Sequence, residues 1–354
     1  LVLCTRELLL ERSREQEYLL TFHSRRSDLS MNDIVRADGG DDKSPKAKSD
    51  KYILKGFLLI IISLMLYNLN LAAIFAVAPM MLFAAKYGKK KGSIFISLGL
   101  LVCLVWDFCK IFLVGKAPIN GTTITELAIT MYIPVSLSAA GIVWIQSKNK
   151  KLFTRILLAL IPSLIFVLIF VVLFLLDRAL FSSMYELYKD AFAALLQPVF
   201  DTLTINLNMD VLFQVFLLAM GSLIMPVTLA AVCANCFIYE TCLHSKESDW
   251  EERVMAIEFN PDMVWAFIIA WGVILLCYFV SVPMAVEVVA MNIGFMLGVI
   301  YALQGFAVLY TWLKRSMERL KSMTLFIVLF IISTGIPGLN FIVLLGLPLL
   351  GLLE

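Results

Sequence analysis

The residues that could do chemistry in this chain lie inside apolar runs. Asp107 and Lys110 sit one helical turn apart within the run Ser93–Val114. An ionisable residue inside such a run marks a functional site by default. The other reading is a neutralised structural pair, since Lys110 lies near the end of its run and can extend its amine to the interface. In the run Val211–Tyr239, Gln214, Gly221, Thr228 and Asn235 recur every seventh position. On a helix they keep to one face, with a drift of about 20° per step. Pro226, inside the same run, frees a backbone carbonyl. Such a seam is interhelical glue, worth about 0.6 kcal/mol per contact, or, when lined with water, a path for solute.

The run Ala285–Leu313 carries a second pattern. With Gly294 at zero on a helical wheel, Glu287, Tyr301 and Gly305 fall within about 20°, Gly298 at about 40° and Ala302 at about 80°. This small-residue stripe lets another backbone approach closely. Its functional alternative is a lumen or binding face with Glu287 at the mouth. Asn292 lies on the opposite face and Gln304 on the flank. Polar groups on several sides imply that protein rather than lipid surrounds this helix.

Other chemistry is missing. The seven cysteines include a C-x-x-C at Cys233 and Cys236, but that pair sits in an apolar run with no second pair. It reads as small apolar filler, with a metal or redox pair as the alternative. The two histidines, His23 and His244, are too few for a His-based metal site or triad. No phosphate-binding, nucleophile-elbow, zincin or dinucleotide-binding motif occurs in the chain. The expectation is a non-enzyme without cofactor or metal. An intramembrane enzyme would rest on Asp107 and Glu287 alone.

The elements that must hold these residues follow from composition. The chain is 61% hydrophobic and 16% charged, with a net charge of +2. A soluble domain averages about 45–50% apolar and about 25% charged, so the fold class is all-α, a polytopic transmembrane helix bundle. The small net charge gives no field for nucleic acid. Apolar runs at Ile53–Tyr67, Leu71–Ala85, Ser93–Val114, Glu126–Ile145, Leu152–Leu176, Val211–Tyr239, Met263–Val282, Ala285–Leu313 and Met323–Leu353 predict about nine spans, with eight to ten allowed. The first two are short and separated by Asn68-Leu69-Asn70; basic residues on both outer flanks make them a hairpin. The last is broken at Gly335-Ile336-Pro337-Gly338 and is one kinked span or a hairpin of two.

Charge fixes the expected sidedness. Alternation puts Lys86, Lys89, Lys90, Lys91, Lys148, Lys150, Lys151, Arg155, Lys246, Arg253, Lys314, Arg315, Arg319 and Lys321 on one side, against Lys116, Arg178 and Lys189 on the other. The first side is cytoplasmic by the positive-inside rule, as is the N-terminus. The external stretch Asp177–Asp210 spaces Phe181, Met184, Tyr188, Phe192 and Leu195 for one helical face. It is an interfacial amphipathic helix or a loop helix packed on the bundle. The internal loop Glu240–Asp262 is acidic, with Trp250 as an interfacial anchor. Residues 1–51 read as a polar, disordered cytoplasmic tail, and 52–354 as one transmembrane domain. Met31 is a candidate initiator, which would make residues 1–30 an upstream extension.

In the C-terminal half, Asn292-Ile293-Gly294 followed by Ile300-Tyr301-Ala302-Leu303-Gln304-Gly305-Phe306-Ala307-Val308 resembles the signature of the YybS-like family, bacterial multi-pass membrane proteins without an assigned activity. Ala78-Pro79 and the loop Lys86-Tyr87-Gly88-Lys89-Lys90-Lys91-Gly92 are similar to that family's N-terminal pattern. The similarity covers about residues 52–354. That pattern is in turn distantly similar to the substrate-binding components of energy-coupling factor transporters, which dock a partner through a small-residue face; Ala72-x-x-x-Ala76 fits one. This is likeness of fold, not of site.

The leading expectation is therefore a transport or solute-binding component of the bacterial cytoplasmic membrane. It would meet the lipid bilayer and membrane partner subunits, since the chain has no nucleotide motif, and would take a small-molecule ligand that sequence does not identify. The alternative is a structural or assembly protein of the cell envelope.

Overall fold

A computed structural model describes residues 45–203, 208–244, 250–280, 282–317, 319–335 and 339–354. The candidate start at Met31 and the tail up to residue 44 lie outside the described residues. The chain divides into residues 1–53 and a compact unit from Leu54 to Glu354. The described part of the first is the start of helix α1, Pro45–Tyr67. Proline at the first helical position has φ already set for a helix and no N–H to lose. The helix therefore takes in Pro45–Lys51, which composition had assigned to the tail.

A short 3-10 turn, Asn70–Phe75, leads to α2, Ala78–Tyr87. Pro79 cannot donate to the carbonyl of Phe75, which weakens helix here, and α2 starts afresh at Ala78. Helix α3 spans Lys89–Phe108 and widens into a π-helical turn over Cys109–Val114. Met80 packs at Gly99 and Ala84 at Gly92, so α2 and α3 are antiparallel. Gly56 of α1 faces Phe95, and Tyr67 bonds Asp107, so α1 and α3 run parallel. The chain therefore reverses between α1 and α2, as the expected hairpin requires.

Asn120 opens α4, Gly121–Thr130, with a reciprocal cap shared with Thr123. Helix α5, Tyr132–Gln146, follows at a bend of 45°. Pro134 removes the bond to the Thr130 carbonyl at that point. Then come α6, Leu152–Leu176; α7, Arg178–Leu203; α8, Met209–Leu243; and α9, Trp250–Met255. The last four are α10, Met263–Phe279; α11, Met284–Ser316; α12, Ser322–Gly335; and α13, Leu339–Leu353.

Each apolar run carries helix among the described residues, but the expected nine spans resolve more coarsely. Among the described residues four helices are long and apolar enough to cross a membrane: Lys89–Val114, Leu152–Leu176, Met209–Leu243 and Met284–Ser316. The bent pair α4 and α5 makes a fifth if it counts as one span. The other apolar helices, Ile53–Tyr67, Ala72–Tyr87, Met263–Phe279, Ser322–Gly335 and Leu339–Leu353, have 17 residues or fewer. At 1.5 Å per residue none of these reaches the roughly 30 Å of a hydrocarbon core. The break at residues 336–338 lies outside the described residues; α12 and α13 on either side of it pack against each other, and α13 packs along α11.

The core joins α2, α3, α5, α6 and α8 around Val77, Met81, Ile96, Ala140, Ile156, Ala159 and Leu229. Outward faces are apolar as well: Leu164, Ile165, Leu168, Ile169 and Val172 of α6 are all exposed. A large apolar outer surface suits lipid contact. The stretch expected to be external forms α7, which packs on α6 and α8. Its Phe181 meets Phe174 of α6, Tyr185 meets Phe213 of α8, and Phe192 meets Phe213 and Phe216. Leu195, expected on the same face, is exposed, as is Leu187.

Candidate functional site

Asp107 is the polar residue that packing explains least. It is 4% exposed on α3. Its Oδ2 accepts a hydrogen bond of 2.5 Å from the Tyr67 hydroxyl of α1. The expected pair with Lys110 is not formed: Lys110 is exposed, while Asp107 is buried and bonded to Tyr67. One position along, Trp106 Nε1 donates to Asn68 Oδ1 at 3.0 Å. The parallel register sets Ser63 opposite Cys103, one turn from Tyr67 and Asp107. Both are buried, and the Ser63 hydroxyl has no partner. The π-helical turn begins two residues after Asp107; local widening of this kind recurs at functional sites. Tyr67 and Ser63 carried no sequence signal, because a hydroxyl at the end of a short apolar run is common.

A groove of about 340 Å³ opens nearby, lined by Leu64, Met65, Asn68, Leu69 and Trp106. Neither Tyr67 nor Asp107 is among its lining residues.

The seam on α8 is spent on helix contacts. Asn292 of α11 inserts its amide beside the turn before Pro226. Its Nδ2 donates to the Gly221 carbonyl at 2.7 Å, and its Oδ1 accepts from the Met225 N–H at 3.2 Å. Thr228 meets the Tyr132 hydroxyl of α5 at 2.9 Å. Asn235 Nδ2 donates to the Ile74 carbonyl at 2.5 Å, in the 3-10 turn before α2. Gln214 is exposed and joins none of this. Three seam positions thus bind three different elements, which is glue and not one continuous wall.

The stripe on α11 serves two partners. A side chain at Gly294 would meet Ile274 of α10 at 2.6 Å. At Gly305 it would overlap the Leu347 carbonyl of α13, and at Gly351 it would overlap the Tyr301 carbonyl of α11. Gly298, expected at the point of closest approach, is not there: a side chain at Gly298 would meet nothing within 4 Å. The wheel groups residues by face, but the stripe passes from α10 to α13 along its length. Glu287 is half-buried in the first turn of α11, where a carboxylate complements the helix dipole. Gln304 is buried.

Sequence reasoning missed one ionic cluster. Glu240 of α8 takes hydrogen bonds on Oε1 from Trp144 Nε1 at 2.8 Å and from the Arg155 guanidinium at 2.6 Å. His244 Nε2 lies 3.3 Å from its Oε2. The guanidinium also stacks over the Trp144 ring at 3.9 Å. Arg155 had counted as a loop charge and Glu240 as the start of an acidic loop. The available signal was that Arg155 lies within its apolar run and Glu240 only one residue past its own. Trp250 stacks on His244 and packs beside Phe237. Cys233 and Cys236 are buried free thiols. Among the described residues no group of three or more His, Cys, Asp or Glu could hold a metal ion.

Compared with family models, curated proteins and solved structures, the chain matches none.

Proposed function

We propose that this chain is a multi-pass transport or solute-binding component of a bacterial cytoplasmic membrane, with the Tyr67–Asp107 pair at its solute contact. The observation that carries the reading is a buried carboxylate on a membrane helix whose bonded partner is a neutral hydroxyl. A structural carboxylate in this setting pairs with a cation or with several donors. The unpartnered Ser63 hydroxyl and the π-helical turn beside it support the reading. About nine passes with the N-terminus inside agree with the basic loops, provided the short helices also cross. A membrane partner subunit would supply energy, since the chain carries no nucleotide motif.

A second reading, a structural or assembly protein of the envelope, is favoured by the α8 and α11 seams, whose polar groups are taken up by helix contacts. Purification in mild detergent, with identification of everything that co-purifies, separates the two. The first reading expects a bound small solute that is lost from Asp107→Asn. The second expects membrane subunits and an Asp107→Asn protein indistinguishable from wild type.

A further inference from the structure

Lysines from three separate segments gather at one end of the bundle. Lys89 and Lys90 stand at the turn from α2 to α3, and Lys148, Lys150 and Lys151 at the turn from α5 to α6; all five are exposed. Tyr132 meets Thr228 and Trp144 meets Glu240, so α5 runs parallel to α8. Ile74 lies beside Asn235 of α8, and Val77 and Met81 lie beside Gly141 of α5, so α2 runs the same way. Helices α2 and α5 therefore end on one side, at Tyr87 and Gln146, and α3 packs along α5. Exposed Lys55 of α1 joins this end, because its neighbour Gly56 faces Phe95 near the start of α3.

The chain around these lysines supplies no counter-charge. No acidic residue occurs from 51 to 106 or from 127 to 176. The acidic loop before α10 reaches α6 through Phe259 against Phe153. Among the described residues, however, none of these lysines is in an ion pair with that loop or with any other carboxylate. Amines gathered within a Debye length repel one another, and a bound anion relieves the repulsion. What lies beside them identifies the anion. Leu54, Phe57 and Leu58 flank Lys55, Ile94 follows the first turn and Leu152 the second, and all are exposed. The amines thus stand where an apolar outer surface gives way to water, the level of phospholipid headgroups. Lys55 decides between a lipid and a soluble acidic protein. It is set among lipid-facing side chains and extends its amine to that level, on a flank that a soluble protein would not cover.

We propose that these lysines bind the phosphate of an anionic phospholipid, drawn from the leaflet they face, with its acyl chains along the exposed sides of α1 and α3. Clusters of basic residues at the end of membrane helices hold such lipids by charge. The inference rests on the membrane reading of the chain and not on a solute site at Asp107.

The test uses the full chain in dioleoyl phosphatidylcholine nanodiscs carrying a trace of spin-labelled phosphatidylglycerol or spin-labelled phosphatidylcholine. Electron spin resonance reads the share of each label immobilised by the protein. The wild type should prefer the anionic label at least about fivefold, the factor that one lysine near an anionic surface supplies. Molar salt should erase the preference. Replacing Lys89, Lys90, Lys150 and Lys151 together by Gln should erase it too, with an unchanged unfolding midpoint, since all four are exposed. Replacing the same four by Arg should keep it, as should Lys116→Gln at the other end of α3, and Asp107→Asn. Equal immobilisation of the two labels by the wild type would overturn the proposal, as would a preference that survives the Gln variant or molar salt, or one that the Arg variant loses. Erasure by millimolar glycerol phosphate would assign the lysines to a free phosphate, and erasure by soluble poly-glutamate to an acidic protein; either result would overturn the lipid.

Discussion

Asn292 of α11 grips two backbone groups on one turn of α8: its amide donates to the Gly221 carbonyl at 2.7 Å and accepts from the Met225 N–H at 3.2 Å. Pro226 directly follows Met225 inside this helix. A single side chain from α11 thereby fixes the two helices in register.

Asn292→Leu keeps the volume and removes both bonds. Each unsatisfied buried group costs about 1–3 kcal/mol. The unfolding midpoint in detergent should fall clearly, while Gln214→Leu, on the same seam but exposed, should leave it unchanged. Equal midpoints for the two variants would mean that the amide does not brace the turn.

The crossing of α11 and α13 rests on Gly305 and Gly351. Gly305→Ala places a methyl on the Leu347 carbonyl, where backbone must move; overpacking costs about 1–3 kcal/mol. Gly298→Ala, one stripe position away, meets open space. Midpoints measured by thermal unfolding should fall for Gly305→Ala and hold for Gly298→Ala. The reverse order would refute the assigned contact.

The contrast within that stripe marks the limit of what sequence conveys. Apolar runs located every described membrane helix, because a run of that length must be helical to satisfy its backbone in lipid. The wheel placed Gly294, Gly298 and Gly305 on one face. It carried no information on which helix crosses where, so Gly298 and Gly305 looked alike. The hydrogen-bonded role of Asn235 was legible as seam glue, but its partner, the Ile74 carbonyl, lies in a 3-10 turn far away in the chain. Glu240 and Arg155 were hidden for the same reason. Each sits at the end of its own helix, and only packing of α6 on α8 brings them together. Asp107 was visible as a buried charge, and its partner Tyr67 was not.

Arg155 and Glu240 form a partly desolvated pair, and removal of one partner from a buried pair typically costs about 3–5 kcal/mol. Arg155→Met and Glu240→Gln should each destabilise the protein, and the double variant should recover part of the loss. A double-mutant cycle on detergent unfolding checks this. Strictly additive losses would show that the two side chains are not coupled.

The most direct measurement is native mass spectrometry of the intact protein released from its own membranes, wild type beside Asp107→Asn. The wild type should carry a non-lipid small-molecule adduct. Asp107→Asn, with the same unfolding midpoint, should lack it, while Lys110→Gln should keep it. Identical spectra for wild type and Asp107→Asn, with or without adducts, would contradict a solute site at Asp107.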